Sequence, residues 1–244
     1  MYSNEKFLRR GSMELYDRKA TLQERIEQKA ESVERYDLAT FIKRTYQLFA
    51  ASILAAAAGA YIGMQMAPAI ATWYWGLVIL EFVLLISLYF TKSKPGLNLI
   101  LLFGFTFMTG LTLTPLLSAI LALPAGASII TNAFLLTGVA FGGLSLFAIN
   151  TKRDFTTMGK FLLIALIVMI VAGLINIFLG SPLLQTILAA AGALLFSVFI
   201  LYDTQNIIRG NFETPTEAAI ALYLDVLNLF ISLLQLLGIF GNEE

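Results

Sequence analysis

Residues 183–240 read LLQTILAAAGALLFSVFILYDTQNII, then RGNFETPT, then EAAIALYLDVLNLFISLLQLLGIF. Two apolar runs, Leu183–Ile208 and Glu217–Phe240, flank a polar turn, and each exceeds the roughly 20 residues a helix needs to cross a bilayer. So short a turn makes them antiparallel neighbours. Each run nevertheless carries a carboxylate, Asp203 in the first and Asp225 in the second. An ionisable side chain at bilayer depth is costly, and by default it marks a functional site. Thr214 lies in the middle of the turn, with the two acids 11 residues from it in opposite directions. At a rise of about 1.5 Å per residue, both acids reach similar depths.

Five further apolar runs precede these two: Thr45–Met66, Ile70–Phe90, Leu97–Leu121, Ala127–Asn150 and Lys160–Leu179. The connections carry turn chemistry, namely Pro68, Lys94-Pro95-Gly96, Pro124 with Gly126, Thr151 to Gly159, Gly180-Ser181-Pro182 and Gly210 to Pro215. The chain therefore reads as an all-α integral membrane protein. Residues 45–240 form a bundle of seven transmembrane helices between a mixed-charge N-terminal segment, 1–44, and a short acidic tail, 241–244. Composition agrees: 58% of the 244 residues are hydrophobic and 13% charged, and the mean hydropathy is +0.80, far from a soluble domain.

Neither cysteine nor histidine occurs, which removes disulfides, thiolate nucleophiles, imidazole bases and the usual zinc and haem ligands. The formal net charge is zero, so no basic field points to nucleic acid. Nothing in the first 44 residues resembles the apolar core and small-residue cleavage site of a removable signal.

Basic residues fall at alternate connections: Lys92 and Lys94, then Lys152, Arg153 and Lys160, then Arg209. The other three connections have none. By the positive-inside rule the basic connections and the N-terminus are cytoplasmic, which puts Asp203 and Asp225 in the cytoplasmic half and Glu243 and Glu244 outside. The segment 1–44 holds ten of the 16 basic and eight of the 16 acidic residues, so it is no polybasic lipid anchor. Its Ile26, Ala30, Val33 and Phe41 form a modest helical stripe, either a solvated face or a docking site for a partner.

Small residues are dense at Ala55 to Ala58, Gly59 with Gly63, Gly138 with Gly142, and Ala189 to Gly192. GxxxG spacings allow helix backbones to approach closely, within one bundle or between two copies. The third span, with Gly104, Thr106, Thr109, Gly110, Thr112, Thr114 and Pro115, is polar enough to line a cavity; alternatively its hydroxyls bond back to their own helix.

Two carboxylates at one depth need not both ionise, so Asp203 and Asp225 can share a proton. Glu81, near the middle of the second span, is a third candidate for the same cavity. The plainer alternatives are a helix-end Asp203 reaching water, and Asp225 and Glu81 as hydrogen-bonded structural acids.

The text around the acids is Leu201-Tyr202-Asp203-Thr204-Gln205 and Tyr223-Leu224-Asp225-Val226-Leu227-Asn228-Leu229-Phe230, with Leu236-Leu237-Gly238 behind. Together with seven spans it resembles the Bax inhibitor-1 family, from about Phe41 to Gly238. The resemblance implies a central last helix wrapped by the other six and a pH-sensitive calcium leak. It implies that Asp203 and Asp225 form the proton-sensing gate, with an acid on the second helix that looks like Glu81. It also implies an arginine latch at the cytoplasmic end of that helix. Here the sequence departs, and Lys92 is the nearest basic candidate, a point charge in place of a bidentate fork.

Calcium takes about six to eight oxygen ligands, so Asp203 and Asp225 with a few carbonyls and hydroxyls make a weak site, suited to permeation. No cofactor is expected, calcium being the permeant or weakly bound ion. An intramembrane aspartyl protease would carry Gly-x-Gly-Asp where Asp225 follows Leu222-Tyr223-Leu224, so no enzyme is expected. A retinal protein would need a lysine between Glu217 and Phe240, which is absent. The remaining alternative is an interaction protein, since relatives modulate a membrane protease or restrain cell death. Expected partners are thus the lipid bilayer, calcium or protons and a membrane protein; the expected location is a bacterial plasma (inner) membrane.

Overall fold

The computed structural model describes residues 37–92 and 94–240. The Ile26, Ala30 and Val33 positions and the tail 241–244 lie outside the described residues. Those described form helices and connections only: α1 (Asp37–Gln65), α2 (Ala67–Phe90), α3 (Pro95–Thr112), α4 (Thr114–Leu121), α5 (Gly126–Asn150), a 3-10 turn at Thr156–Met158, α6 (Gly159–Leu179), α7 (Pro182–Ile208) and α8 (Pro215–Phe240). With α3 and α4 counted as one span, seven helices are long and apolar enough to cross a membrane.

Several helices begin earlier than their apolar runs. Proline occupies the first or second position of α2, α3, α4 and α7, and Pro215 opens α8. The first helical position loses nothing by lacking an N–H, so a proline that marks a turn in the sequence sits inside the first helical turn. Ser181 caps α7 by accepting the Leu184 N–H at 3.3 Å, and Thr214 accepts the Glu217 N–H at 3.2 Å at the start of α8. Gly180, at φ 59°, ends α6 in the left-handed region that favours glycine.

The third span is not one rod. Pro115 has no N–H to continue the ladder, and the helix breaks at Leu113 into α3 and α4. The first helix departs in the other direction, since α1 extends to Asp37 through residues too polar for the apolar run beginning at Thr45. Hydropathy reports partition into lipid; a helix can run on beyond it.

Helix α8 packs on α7, α5 and α3, α7 also packs on α5 and α6, and α2 packs on α3 and α4. No residue from Pro215 to Ile239 is exposed. Leu117, Ile120, Ile129, Ala133 and Leu234 form one core cluster, and Phe196, Ile200 and Leu229 another. Large apolar side chains such as Phe82, Val139, Phe178 and Leu194 point outward. For a spanning helix that outer face meets hydrocarbon.

The two GxxxG pairs have opposite fates. A Cβ at Gly59 would overlap the Phe107 carbonyl, one at Gly63 the Thr114 hydroxyl, and one at Gly110 the Ala56 carbonyl, so α1 and α3 approach backbone to backbone. At Gly138 and Gly142 a Cβ would meet nothing within 4 Å among the described residues.

Candidate functional site

The antiparallel pairing of α7 and α8 brings Asp203 and Asp225 together, as the spacing about Thr214 predicts. Asp203 is 6% and Asp225 4% exposed, so neither is a helix-end side chain reaching water. Their carboxyl groups lie within hydrogen-bonding reach of each other. Among the described residues no hydroxyl, amide or N–H donates to the buried Asp225 Oδ2. Two ionised carboxylates only accept, so a hydrogen bond between them needs a proton on one.

The polar run Asp203–Asn206 lies near the end of α7 and anchors what lies around the pair. Thr204 is fully buried, 3.3 Å from the Ser145 hydroxyl of α5, and the Tyr46 hydroxyl of α1 is within reach of both. Gln205 accepts the Phe155 N–H at 2.7 Å and donates to the Arg153 and Ala148 carbonyls at 2.8 and 3.2 Å. It thereby holds the connection between α5 and α6 to the helix that carries Asp203. Asn206 accepts from the Asn211 side-chain amide at 2.9 Å, closing the turn toward α8.

Glu81 does not join the pair. Its Oε2 accepts the Thr112 hydroxyl of α3 at 2.6 Å. Thr112 also donates to the Thr109 carbonyl at 3.1 Å, and Thr109 hydrogen-bonds the Tyr223 hydroxyl of α8. The hydroxyls of the third span therefore do both things open to them: Thr106 and Thr109 bond back to their own helix, while Thr109 and Thr112 also face other helices. Glu81 approaches α8 through this hydroxyl chain, two residues before Asp225, and without touching either aspartate.

Lys92, the latch candidate, does not reach the pair either. Its Nζ donates to Glu217 Oε1 at 2.6 Å, lies 3.6 Å from Glu213 Oε2 and sits 4.8 Å from the centroid of the Tyr89 ring. The bond to Glu217 raises the Lys92 pKa above its ordinary value, so the ammonium stays charged. A tie between the end of α2 and the start of α8 stands where a latch on the aspartates was expected. The two partners are 125 residues apart, and nothing local in the sequence pairs them.

Neither Gln205 nor Asn98 stands out in the sequence. The one signal for Gln205 is the unbroken polar run Asp203–Asn206 at the end of an apolar span. Asn98 is a single polar residue in the first turn of α3, yet it is 4% exposed and its Oδ1 has no partner among the described residues.

The family described as inhibitor of apoptosis-promoting Bax1 matches residues 38–242. An uncharacterized protein of Campylobacter jejuni is 54% identical over 238 residues, covering 95% of this chain and 100% of its own. An uncharacterized membrane protein of Vibrio cholerae is 38% identical over 208 residues, 83% of this chain and 91% of its own. The Golgi anti-apoptotic protein of vaccinia virus is 39% identical over 163 residues, 66% of each.

Proposed function

The chain belongs to the Bax inhibitor-1 family, and on that premise we propose that it is a non-enzymatic calcium leak gated by protonation of Asp203 and Asp225. The observation that carries this reading is the meeting of two buried carboxyl groups, one of them with an oxygen that, among the described residues, no other side chain or backbone N–H satisfies. A shared proton holds the two helices together. When the proton leaves, two like charges repel across the α7–α8 contact and offer oxygens to a passing cation. A site that supplies only part of calcium's six to eight ligands binds weakly, and weak binding lets the ion move on.

In this reading α8 is the central helix about which the others are arranged, and Glu81 adds a further negative charge along the path. The N-terminus and the connections bearing Lys92, Lys152, Arg153 and Arg209 face the cytoplasm of a bacterium, and the bundle lies in its inner membrane. The test is calcium flux into liposomes holding the purified protein, from pH 6 to 8, for wild type, Asp203→Asn and the Asp203→Asn, Asp225→Asn double variant. The expected result is flux that changes with pH in the wild type and loses that dependence in the double variant. An unchanged pH profile removes the pair as the gate.

A second reading rests on the viral relative, whose name is that of an anti-apoptotic protein. In this reading the chain acts through a membrane partner, and the mixed-charge N-terminal segment is the contact. Absence of flux above empty liposomes, with a co-purifying protein lost when residues 1–40 are deleted, would favour it.

A further inference from the structure

Two consecutive helices of the bundle leave a space between them. α5 and α6 are joined by the short connection 151–158, yet among the described residues each packs on α7 and not on the other. Ser145 of α5 meets the Thr204 hydroxyl on one flank of α7, and Gly159 of α6 lies against the Tyr202 hydroxyl on the other. Between these contacts, on the side of α7 opposite the Gly192 that abuts Ser232 of α8, Leu194 is 73% exposed. Ile187 and Ala190 on the same side are exposed too, and Val198 is half-buried. The result is a groove with α7 as its floor and α5 and α6 as its walls, open toward hydrocarbon.

One end of the groove is closed by the connection itself. Gln205 holds that connection through the Phe155 N–H and the Arg153 carbonyl, and it stands 11 residues, about three helical turns, from Leu194, on the same face of α7. The distance is about 16 Å, close to half the roughly 30 Å of hydrocarbon in a bilayer, so the groove has the height of one leaflet. Arg209 engages Asp154, the one acid of the connection. Lys152, Arg153 and Lys160 are exposed, and among the described residues no carboxylate pairs with them. A signal for orientation needs only the charge. Here the charge stands on a backbone fixed at the mouth of an apolar groove.

We propose that this groove binds an anionic phospholipid of the phosphatidylglycerol or cardiolipin class, drawn from the leaflet at that end of the bundle. Its phosphate meets Lys152, Arg153 and Lys160, and an acyl chain lies along Val198 and Leu194 between α5 and α6. Basic side chains at a bilayer surface attract such a headgroup, and three on one ordered connection give the attraction a fixed place. A zwitterionic lipid would fill the groove but bring an ammonium against the three cations. A soluble acidic partner would answer the charge and leave the apolar floor uncovered. A second copy of the chain, oriented alike in the membrane, would bring the same cations to the same depth. The site does not involve the aspartate pair, since Asp203 meets α8 on the opposite side of α7.

The test is native mass spectrometry of the full chain released from detergent after mixing with equal amounts of phosphatidylglycerol and phosphatidylethanolamine. Melting temperatures are read alongside, with each lipid and with glycerol 3-phosphate. Wild type should retain phosphatidylglycerol over phosphatidylethanolamine by roughly tenfold, and only that lipid should raise its melting temperature. The combination Lys152→Gln, Arg153→Gln, Lys160→Gln should retain the two lipids equally. Lys152→Arg, Arg153→Lys, Lys160→Arg should match wild type, and so should Lys94→Gln, which removes an exposed charge from another connection. Leu194→Trp, which fills part of the groove and leaves the charges alone, should lower retention of both lipids. If the triple glutamine variant does not fold, Lys152→Gln, Lys160→Gln replaces it. No preference in wild type, a preference that survives the glutamines, retention untouched by Leu194→Trp, or an equal rise with glycerol 3-phosphate would each overturn the proposal. Lipid retention in detergent needs no ion flux, so a protein that does not conduct leaves this outcome readable.

Discussion

Arg209, at the end of α7, lies 2.9 Å from Asp154 in the connection between α5 and α6, with its Nη1 against the Asp154 Oδ2. The guanidinium, aided by hydrogen bonds from Thr156, holds the Asp154 carboxyl down at about 2. Both side chains are more than 40% exposed, so solvent and salt weaken the pair.

A carboxyl lowered by folding contributes stability above its unfolded value, 3.8, and loses it as the pH falls through 2. The melting temperature of Asp154→Asn should therefore fall short of wild type by a constant, small amount from pH 7 to 5, roughly 1–2 °C. The gap should close between pH 4 and 2. Melting curves in detergent at several pH values check this, and 1 M salt should narrow the gap at every pH.

Replacing Gln205 with Leu should be far more disruptive. It leaves the Phe155 N–H and the Arg153 and Ala148 carbonyls without their side-chain partner, at a cost of about 1–3 kcal/mol for each group left buried. Gln205→Glu keeps the acceptor for Phe155 and loses both donors, so it should fall between. Hydrogen exchange at Phe155 should speed up at least tenfold in the Leu variant while amides of α6 stay protected.

Glycines of identical spacing should respond oppositely to alanine. Gly59→Ala meets the Phe107 carbonyl and should cost about 1–3 kcal/mol by forcing α1 away from α3. Gly138→Ala meets nothing and should be neutral or gain up to about 1 kcal/mol of helix propensity. Thermal unfolding of the two variants side by side separates these outcomes.

Thr112→Val should isolate Glu81 from its hydroxyl donor without changing side-chain size. The expected cost is about 1–3 kcal/mol, and Thr112→Ser should recover most of it. A melting curve that does not move would show that Glu81 finds another donor.

Most of this architecture is written in hydropathy, because a chain in lipid must satisfy its backbone within each helix and so declares each span as an apolar run. The aspartate pair was legible for a related reason: a short turn between two straight helices makes residue count a measure of depth. Interactions between helices distant in sequence were not legible. Lys92 and Glu217 lie far apart in the chain, and distance counted from one turn says nothing of the other. Composition also hid the break at Leu113, where a proline within an apolar run reads as one polar-line residue and acts as a missing rung. The spacing of Gly59 with Gly63 equals that of Gly138 with Gly142, yet one pair is at a helix contact and the other is open, a difference set by neighbours the spacing does not contain.

The interruption at Leu113 divides mechanical duties within a single crossing. The half of the third span below it carries the hydroxyls that engage Glu81 and Tyr223, whereas the half above it is wedged among Ile129, Ala133 and Leu234. With one backbone hydrogen bond absent at Pro115, bending stiffness is lowest at that point. A tilt of α3 is therefore absorbed at the joint, and the hydroxyl-bearing segment can swing like a lever whose fulcrum stays anchored in the core of α4, α5 and α8.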